Sequence, residues 1–216
     1  ASDTENWNDN GSGGYYGFSP IGNSTTKFTG QYDGGGYTID NLFINRPSTD
    51  KIGLFGYTDG ATIVSIGVTN VDITGNYYVG GLVGFNYNNS IVSNSYSTGS
   101  ITGSNKYVGG LVGYQDNATV RKSYSTGSVN GWDKVGGLVG YNDNPSNVTN
   151  SFWDVETDGI AENSSGDDNF GAIGKTTTDM TNATTTDNIY LAAGWDFVGE
   201  SNNGSDDIWN IGNGRN

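Results

Sequence analysis

A Gly-Leu-x-Gly motif recurs at nearly constant spacing through the middle of the chain and constrains the fold more than any other feature. Successive copies begin 28, 29 and 27 residues apart. A fixed period of roughly 20–50 residues is typical of solenoids and propellers. Such an array usually presents an extended surface rather than a single reaction centre. The fixed positions of the four copies are Gly53, Leu54, Gly56, Gly81, Leu82, Gly84, Gly110, Leu111, Gly113, Gly137, Leu138 and Gly140.

Each repeat contains short β-branched runs separated by glycine and asparagine. The runs are about 3–6 residues long and alternate apolar with polar residues, which favours strands over helices. At roughly 3.3 Å per residue, a repeat of about 28 residues can form one coil of a parallel β-helix. We therefore expect an all-β, right-handed parallel β-solenoid whose equivalent leucines stack about 4.8 Å apart. A β-propeller is the alternative, but its blades usually need about 40 residues or more.

The chain divides into three parts of one continuous domain. Residues 1–50 form an N-terminal capping segment, residues 51–159 carry the repeats, and residues 160–216 form a C-terminal capping segment. A terminal unit unlike the repeats is what a solenoid needs to cover its open end.

The C-terminal segment is predicted to contain one short helix. Thr176 begins a stretch with N-cap chemistry, and Gly194 suits the position after a helix C-terminus. Two aromatic stretches, 195–197 and 208–211, then favour short strands.

Composition excludes several classes of function. The net charge is −14 with only nine Lys and Arg, so a phosphate backbone would be repelled and we expect no nucleic-acid partner. No apolar run approaches the roughly 18–20 residues that span a bilayer. There are no cysteines, so stability must come without disulfides. The opening Ala-Ser-Asp-Thr-Glu fits a stub left after signal-peptide removal, which favours an extracellular location.

Several motifs in a fixed order resemble the GLUG-motif repeats of bacterial and archaeal surface and secreted proteins. The resemblance implies a β-solenoid and an extracellular or envelope location. Some members of that family are accessory regions of secreted peptidases and others are adhesin-like. The resemblance implies no catalytic residue at any position of this chain. Beside the Gly-Leu-x-Gly copies, the resembling stretches are 20–22, 28–42, 151–154, 174–177, 194–197 and 208–209.

Enzyme chemistry has little to draw on. With no His and no Cys, the Ser–His and Cys–His nucleophile systems and the H-E-x-x-H zinc site are excluded. Paired carboxylates remain, because Asp and Glu can cleave glycosidic bonds. Each candidate lies within a structural motif, where Asp and Asn cap turns, so we predict no catalytic residue and no enzyme. The candidates are Asp33, Asp154, Glu156 and Asp196.

One acidic stretch resembles the start of a calcium loop. Asp154, Glu156 and Asp158 occupy positions 1, 3 and 5, with Gly159 at position 6. Position 12 is Ser165, so the bidentate Glu of such a loop is missing. The stretch is more typical of a polar turn, and calcium is the one cofactor that the sequence leaves open.

Aromatic residues are abundant, with 14 Tyr and five Trp. Phe85, Tyr114 and Tyr141 occupy equivalent positions in successive repeats, so we expect them to stack on one another. Exposed rings could instead stack on sugars. The better candidates for exposure are Tyr77, Tyr78, Tyr87 and Tyr107.

Sequons for N-glycosylation occur at about the number that chance predicts for this composition, and they add mild support for export. They lie at Asn10, Asn23, Asn88, Asn117, Asn147, Asn163, Asn182 and Asn203.

The sequence favours a non-catalytic structural protein that self-assembles into a fibre, sheath or layer at the cell surface, with other copies of itself as partners. Uncovered strand edges are templates for further strands, and no membrane span, basic tail or lipidation cysteine is visible to anchor a monomer. An adhesin or carbohydrate-binding module is the alternative. A spacer region of a secreted peptidase is the second alternative.

Overall fold

The computed structural model describes residues 4–143, 148–157, 159, 171–181 and 189–195. The described part begins with a 3-10 turn, Thr4–Asn6, and contains two helices, α1 (Thr177–Thr181) and α2 (Ile189–Ala192). The first ten strands are β1 (Gln31–Asp33), β2 (Thr38–Asp40), β3 (Phe43–Asn45), β4 (Phe55–Asp59), β5 (Thr62–Val64), β6 (Gly67–Gly75), β7 (Val79–Gly80), β8 (Val83–Tyr87), β9 (Ile91–Ser93) and β10 (Tyr96–Gly103). The others are β11 (Lys106–Gly109), β12 (Val112–Asp116), β13 (Thr119–Arg121), β14 (Tyr124–Asn130), β15 (Asp133–Gly136), β16 (Val139–Asn142), β17 (Val148–Thr149), β18 (Ser151–Asp154) and β19 (Ala172–Lys175).

These strands form four sheets that run along one axis. The sheet orders are β1-β5-β9-β13-β17, β2-β6-β10-β14-β18-β19 with β3 also on β6, β7-β11-β15, and β4-β8-β12-β16. Every pairing between these strands is parallel. Each coil therefore adds a strand to each sheet, and the predicted all-β parallel solenoid is confirmed. Its right-handed winding stays a prediction.

The N-terminal segment supplies a coil of its own. Ile21 and Phe28 form parallel bridges to β4, while β1, β2 and β3 pair with β5 and β6. Gly17 then bridges antiparallel to Ile44, which covers the outer edge of β3. The solenoid thus begins before the first Gly-Leu-x-Gly copy.

The Gly-Leu-x-Gly motif places an apolar column inside the solenoid and lets the coils approach closely. Leu54, Leu82, Leu111 and Leu138 are all buried, and each contributes roughly 2 kcal/mol of burial free energy. A Cβ at Gly110 would lie 2.1 Å from the Gly137 carbonyl oxygen and 2.1 Å from Ser125 Oγ. Any side chain there would push neighbouring coils apart.

A column of buried serines satisfies the backbone at one turn of each coil. Ser95 Oγ accepts a bond from Ile66 N at 3.3 Å, and Ser123 Oγ accepts one from Ser95 N at 3.3 Å. Ser151 Oγ continues the series with Ser123 N at 3.2 Å. Each hydroxyl also donates to the carbonyl two residues earlier in the chain. Since buried polar groups are costly when unpaired, this column stabilises the stacking of the coils.

The C-terminal segment packs along the side of the solenoid as well as extending one sheet. β19 pairs with β18, and Met180 of α1 and Tyr190 of α2 pack against the outer face of that sheet. The predicted N-cap is confirmed, because Thr176 Oγ1 accepts a bond from Asp179 N at 3.1 Å. Gly194 follows α2 with a φ of 72°. Residues 182–188, 196–197 and 208–211 lie outside the described part, so the continuity of the predicted helix and the two predicted strands stay predictions. The cluster on this face comprises Tyr124, Phe152, Met180, Tyr190 and Trp195.

Candidate functional site

A column of outward aromatic rings runs along the sheet β4-β8-β12-β16. Tyr57 pairs in register with Phe85, Phe85 with Tyr114, and Tyr114 with Tyr141. Their ring centroids are 4.7, 4.8 and 5.7 Å apart in that order. The predicted stacking is confirmed for Tyr114 and Tyr141, whereas Phe85 meets Tyr114 edge-to-face, with the ring planes 86° apart. The rings point outward because strand side chains alternate, and the next residue of each strand points into the core.

The inward residues of the same strands form a buried polar column. Thr58 Oγ1 donates to Asn86 Oδ1 at 2.9 Å, and Asn86 Nδ2 donates to Gln115 Oε1 at 3.5 Å. Gln115 Nε2 also donates to the Ala118 carbonyl at 2.8 Å. These contacts fix the strands from inside and so hold the outer rings in register.

A second column lies beside the first, at the corner where each coil enters the sheet β7-β11-β15, which precedes the sheet β4-β8-β12-β16 along the chain. Lys51, Tyr78, Tyr107 and Lys134 occupy it, with φ angles of 63°, 59°, 68° and 57°. Tyr78 stacks on Tyr107 with centroids 5.1 Å apart and planes 8° from parallel. Left-handed backbone costs a non-glycine residue about 1–2 kcal/mol, so the contacts of these side chains offset a backbone cost. We call the two columns together the aromatic face.

The two columns form one continuous surface. The Tyr78 ring stacks on Phe85 at 5.3 Å and meets the edge of Tyr114 at 5.4 Å. Tyr107 likewise meets Tyr114 at 5.1 Å and Tyr141 at 5.7 Å. Rings of one column thus buttress the rings of the other.

Lysine side chains extend over these rings. Lys51 Nζ lies 5.2 Å from the Tyr78 ring centroid and 5.6 Å from that of Tyr57. At the other end of the corner column, Lys134 Nζ lies 5.1 Å from the Tyr141 centroid. Cations at these distances are attracted to the ring faces by roughly 0.5–1 kcal/mol at exposed sites.

Carboxylates surround the face, and most of them have partners within the chain. Asp59 Oδ2 lies 2.9 Å from Lys27 Nζ, and Asn88 Nδ2 donates to Asp59 Oδ1 at 2.7 Å. The hydrogen bond from Lys27, followed by that from Asn88, lowers the pKa of Asp59. Asp143 accepts a hydrogen bond from the Tyr114 hydroxyl. Burial, and then this bond, raise the pKa of Tyr114.

The tyrosines predicted to be exposed lie on or beside this face. Tyr77, Tyr78, Tyr87 and Tyr107 are half-buried, because each packs against a neighbouring ring while leaving part of itself open to solvent. Burial raises the pKa of Tyr78. The arrangement offers flat apolar surface with hydroxyls and ammonium groups beside it.

Two adjacent coils that carry this face match a known repeat, the GLUG motif, at residues 75–102 and 104–130. The chain contains GLUG repeats. Each match spans one coil and contributes one ring to each column, Tyr78 and Phe85 in the first match and Tyr107 and Tyr114 in the second. The resemblance predicted from the sequence is thereby confirmed for these coils.

Two relatives share part of the chain. Halomucin of Haloquadratum walsbyi is 41% identical over 86 residues, which are 39% of this chain and 1% of that protein. A putative Gly-rich membrane protein of Evansella cellulosilytica is 38% identical over 79 residues, which are 33% of this chain and 9% of that protein. The chain therefore spans a small fraction of either relative. No solved structure matches it.

The predicted calcium stretch follows the GLUG coils and serves to attach α1. Asp154 is buried; its Oδ1 accepts a bond from Glu156 N at 2.9 Å and its Oδ2 one from Thr177 Oγ1 at 2.7 Å. Glu156 Oε2 accepts a bond from Thr177 N at 2.8 Å. Asp158 lies outside the described residues. Within the described ranges no three acidic side chains converge to hold a metal, and calcium at this stretch stays a prediction.

Asp33 and Asp154, also considered for catalysis, are not brought together. Asp33 lies on β1 in the first coil, where its Oδ1 accepts a bond from Gly35 N at 2.9 Å. Asp154 lies on β18 at the far end of the repeats. Asp196 is outside the described residues.

Four of the eight predicted glycosylation sites are described. Asn23, Asn88 and Asn117 are exposed and Asn10 is half-buried. Asn147, Asn163, Asn182 and Asn203 lie outside the described residues, and the use of any sequon stays a prediction. As for membrane association, neither described helix is long or apolar enough to cross a bilayer.

Proposed function

We propose that the GLUG solenoid is a non-catalytic extracellular module that binds polysaccharide along its aromatic face. The observation that carries this proposal is the second column, where Tyr78 and Tyr107 occupy left-handed backbone. Asn or Gly would be better suited to that conformation. Large rings at strained positions are expected where the side chain itself has a task.

The shape of the face suits a polymer. Equivalent rings recur once per coil, at about 4.8 Å along the axis. A ligand with its own repeating apolar ring faces can contact several rungs at once, and each added contact increases the affinity. Half-buried tyrosines are well suited to this, because stacked neighbours hold their rings before the ligand arrives and little conformational entropy is lost.

The relatives support the location. One is a halomucin and the other is described as a membrane protein. Both descriptions favour a surface or membrane-associated setting for the repeat that they share with this chain. The acidic composition, with its net charge of −14, is consistent with an exported module.

Titration calorimetry of the purified chain with neutral and acidic polysaccharides tests the proposal. The informative variant is Tyr78→Asn with Tyr107→Asn, because Asn tolerates left-handed backbone and should keep the coils intact. We expect it to lose at least tenfold in affinity with an unchanged circular dichroism spectrum. Tyr37→Ser is the matched control, since Tyr37 is 79% exposed and lies outside the face. Absence of binding to every polysaccharide would overturn the proposal.

Self-assembly is the second candidate, and one observation favours it. No other described strand pairs with the opposite edges of β1 and β2, which are the first strands of their sheets. Unpaired edges of this kind can accept a strand from another copy. Light scattering paired with electron microscopy tests this: filaments would establish it, and a monomer near 22.8 kDa would exclude it.

A further inference from the structure

We infer that the ligand of the aromatic face is an acidic polysaccharide, whose carboxylate or sulfate groups are bound by Lys51 and Lys134. This inference rests on the proposed polysaccharide binding and specifies its substrate class. The first observation is position: the corner column begins with Lys51, continues through Tyr78 and Tyr107, and ends with Lys134. The two ammonium groups therefore flank a pair of stacked rings.

The second observation is that these two lysines have no ion-pair partner among the described residues. Lys27 and Lys106 each bind a carboxylate, Asp59 at 2.9 Å and Asp133 at 2.8 Å. Neither Lys51 nor Lys134 forms a salt bridge with any residue in the described part of the chain. Their ammonium groups lie over rings instead, which orients them without neutralising their charge.

The distance between Lys51 and Lys134 suits a polymer rather than a small anion. Lys51 and Lys134 are three coils apart in the column, which is about 14 Å at the usual strand spacing. One small anion cannot contact both ammonium groups. An extended chain can place an anionic group at each end while its intervening sugar rings lie on Tyr78 and Tyr107.

The overall charge of −14 opposes the binding of anions, so whether an acidic polymer can bind depends on the charges near the face. Asp59 is paired with Lys27, and Asp50 accepts bonds from Asn76 Nδ2 at 2.8 Å and Tyr77 N at 3.3 Å. These contacts partly satisfy both carboxylates.

Three further acids border the face. Asp133, which precedes Lys134 in the chain, is paired with Lys106 at 2.8 Å. Asp143 accepts a hydrogen bond from the Tyr114 hydroxyl. Asp116 has no side-chain partner among the described residues, but it is the last residue of β12 and so lies at the end of that strand away from the corner column. Lys51 and Lys134 are thus the ammonium groups of the corner column that have no carboxylate partner among the described residues. Because the surrounding field is negative, the attraction should be short-ranged and sensitive to salt.

The test compares three probes by titration calorimetry at low salt: polygalacturonate, dextran sulfate and neutral dextran. We expect at least one acidic polymer to bind the wild type at least tenfold more tightly than dextran. The preferred acidic probe identifies whether carboxylate or sulfate is recognised. Raising the salt concentration should remove the preference and leave the stacking contribution.

The deciding variant is Lys51→Gln with Lys134→Gln, which should lose the preference for the acidic probe and keep the dextran affinity. Its matched control is Lys122→Gln with Lys175→Gln, which removes the same charge away from the face and should keep the preference. Equal affinity for acidic and neutral polymers in the wild type would overturn this inference and leave polysaccharide binding standing. Equal losses in both double variants would overturn it too. Failure of all three probes to bind would overturn the proposed function itself.

Discussion

Two corners flank the same aromatic strands and meet the same backbone requirement with different residues. The corner before them, at the start of the sheet β7-β11-β15, carries Lys51, Tyr78, Tyr107 and Lys134, with φ between 57° and 68°. The corner after them carries Gly60, Asn88 and Asn117, with φ of 65°, 53° and 47°. Both turn the chain through left-handed backbone. The second, which we call the asparagine corner, uses the residues that this conformation favours.

The difference shows which corner is shaped by folding alone. At the asparagine corner the side chains serve the coil, as when Asn88 Nδ2 donates to Asp59 Oδ1 at 2.7 Å. We call the other corner, which carries the corner column, the lysine–tyrosine corner. Its backbone is less favourable, and the compensating stabilisation comes from rings that stack on the next coil, 5.1 Å apart between Tyr78 and Tyr107. Stacked pairs contribute about 0.5–1.5 kcal/mol, which is comparable to the backbone cost. The net effect on stability is therefore small, and the side chains remain available for binding.

The largest expected effect on stability comes from disrupting the close stacking of coils on which both corners depend. Gly110→Ala would place a Cβ 2.1 Å from the Gly137 carbonyl oxygen and so force adjacent coils apart. We expect a loss of about 3 kcal/mol or more in the free energy of unfolding, measured by urea denaturation. Gly30→Ala is the control, because its Cβ would meet only the Phe28 ring at 3.4 Å. Similar stability of the two variants would mean that close stacking at the motif does not hold the coils.

Transferring a ring to the asparagine corner should be the next largest effect. Asn88→Tyr keeps the left-handed backbone but loses the bond to Asp59 and places a bulky residue at an exposed position. We expect a loss of about 1–2 kcal/mol in the same denaturation measurement. A variant as stable as the wild type would show that the two corners do not differ in their tolerance of rings.

Alkaline pH should weaken the aromatic face more than the asparagine corner. Burial raises the pKa of Tyr57, Tyr78 and Tyr114 above the ordinary value of 10.0. The folded state therefore keeps these protons when the unfolded chain loses them, so stability is full below pH 10 and falls as pH rises above it. Tyr114→Phe should show a smaller fall between pH 9 and pH 11 in urea midpoints. If the urea midpoints of the wild type and of Tyr114→Phe fell by the same amount, the loss of stability would not come from ionisation of Tyr114.

The smallest effect on stability is expected from Tyr107→Asn. The substitution relieves left-handed backbone while removing the ring contacts with Tyr78, Tyr114 and Tyr141, so the two changes oppose each other. We expect the thermal midpoint to stay within about 4 °C of the wild type. A loss as large as that of Asn88→Tyr would mean that the rings of the lysine–tyrosine corner exist to stabilise the fold.

The fold was largely accessible from the sequence because its causes are periodic. The Gly-Leu-x-Gly spacing predicted parallel coils, the stacked leucines, and the ladder of Phe85, Tyr114 and Tyr141. The lysine–tyrosine corner was missed, because left-handed backbone is usually signalled by Gly or Asn, and Lys and Tyr carry no such signal. Alignment of the repeats could have found most of it, since Tyr78, Tyr107 and Lys134 each lie three residues before the first glycine of a motif copy, and Lys51 lies two residues before one.

The inner polar column was also missed, for a related reason. Thr58, Asn86, Gln115 and Asn142 share one position of the coil but differ in residue type, so no repeated letter marks them. Polar side chains are usually exposed, but here bonds along the column, such as Thr58 to Asn86 at 2.9 Å, allow burial. Function was ranked differently as well: self-assembly came first from the sequence, while the observed face favours polysaccharide binding.

The most direct measurement is a crystal structure of the chain with an acidic oligosaccharide long enough to cross three coils. We predict sugar rings on Tyr78 and Tyr107, with an anionic group within hydrogen-bonding distance of Lys51 or Lys134. An oligosaccharide bound elsewhere on the solenoid, or a bare aromatic face at saturating ligand, would contradict the assignment of this face as the binding site.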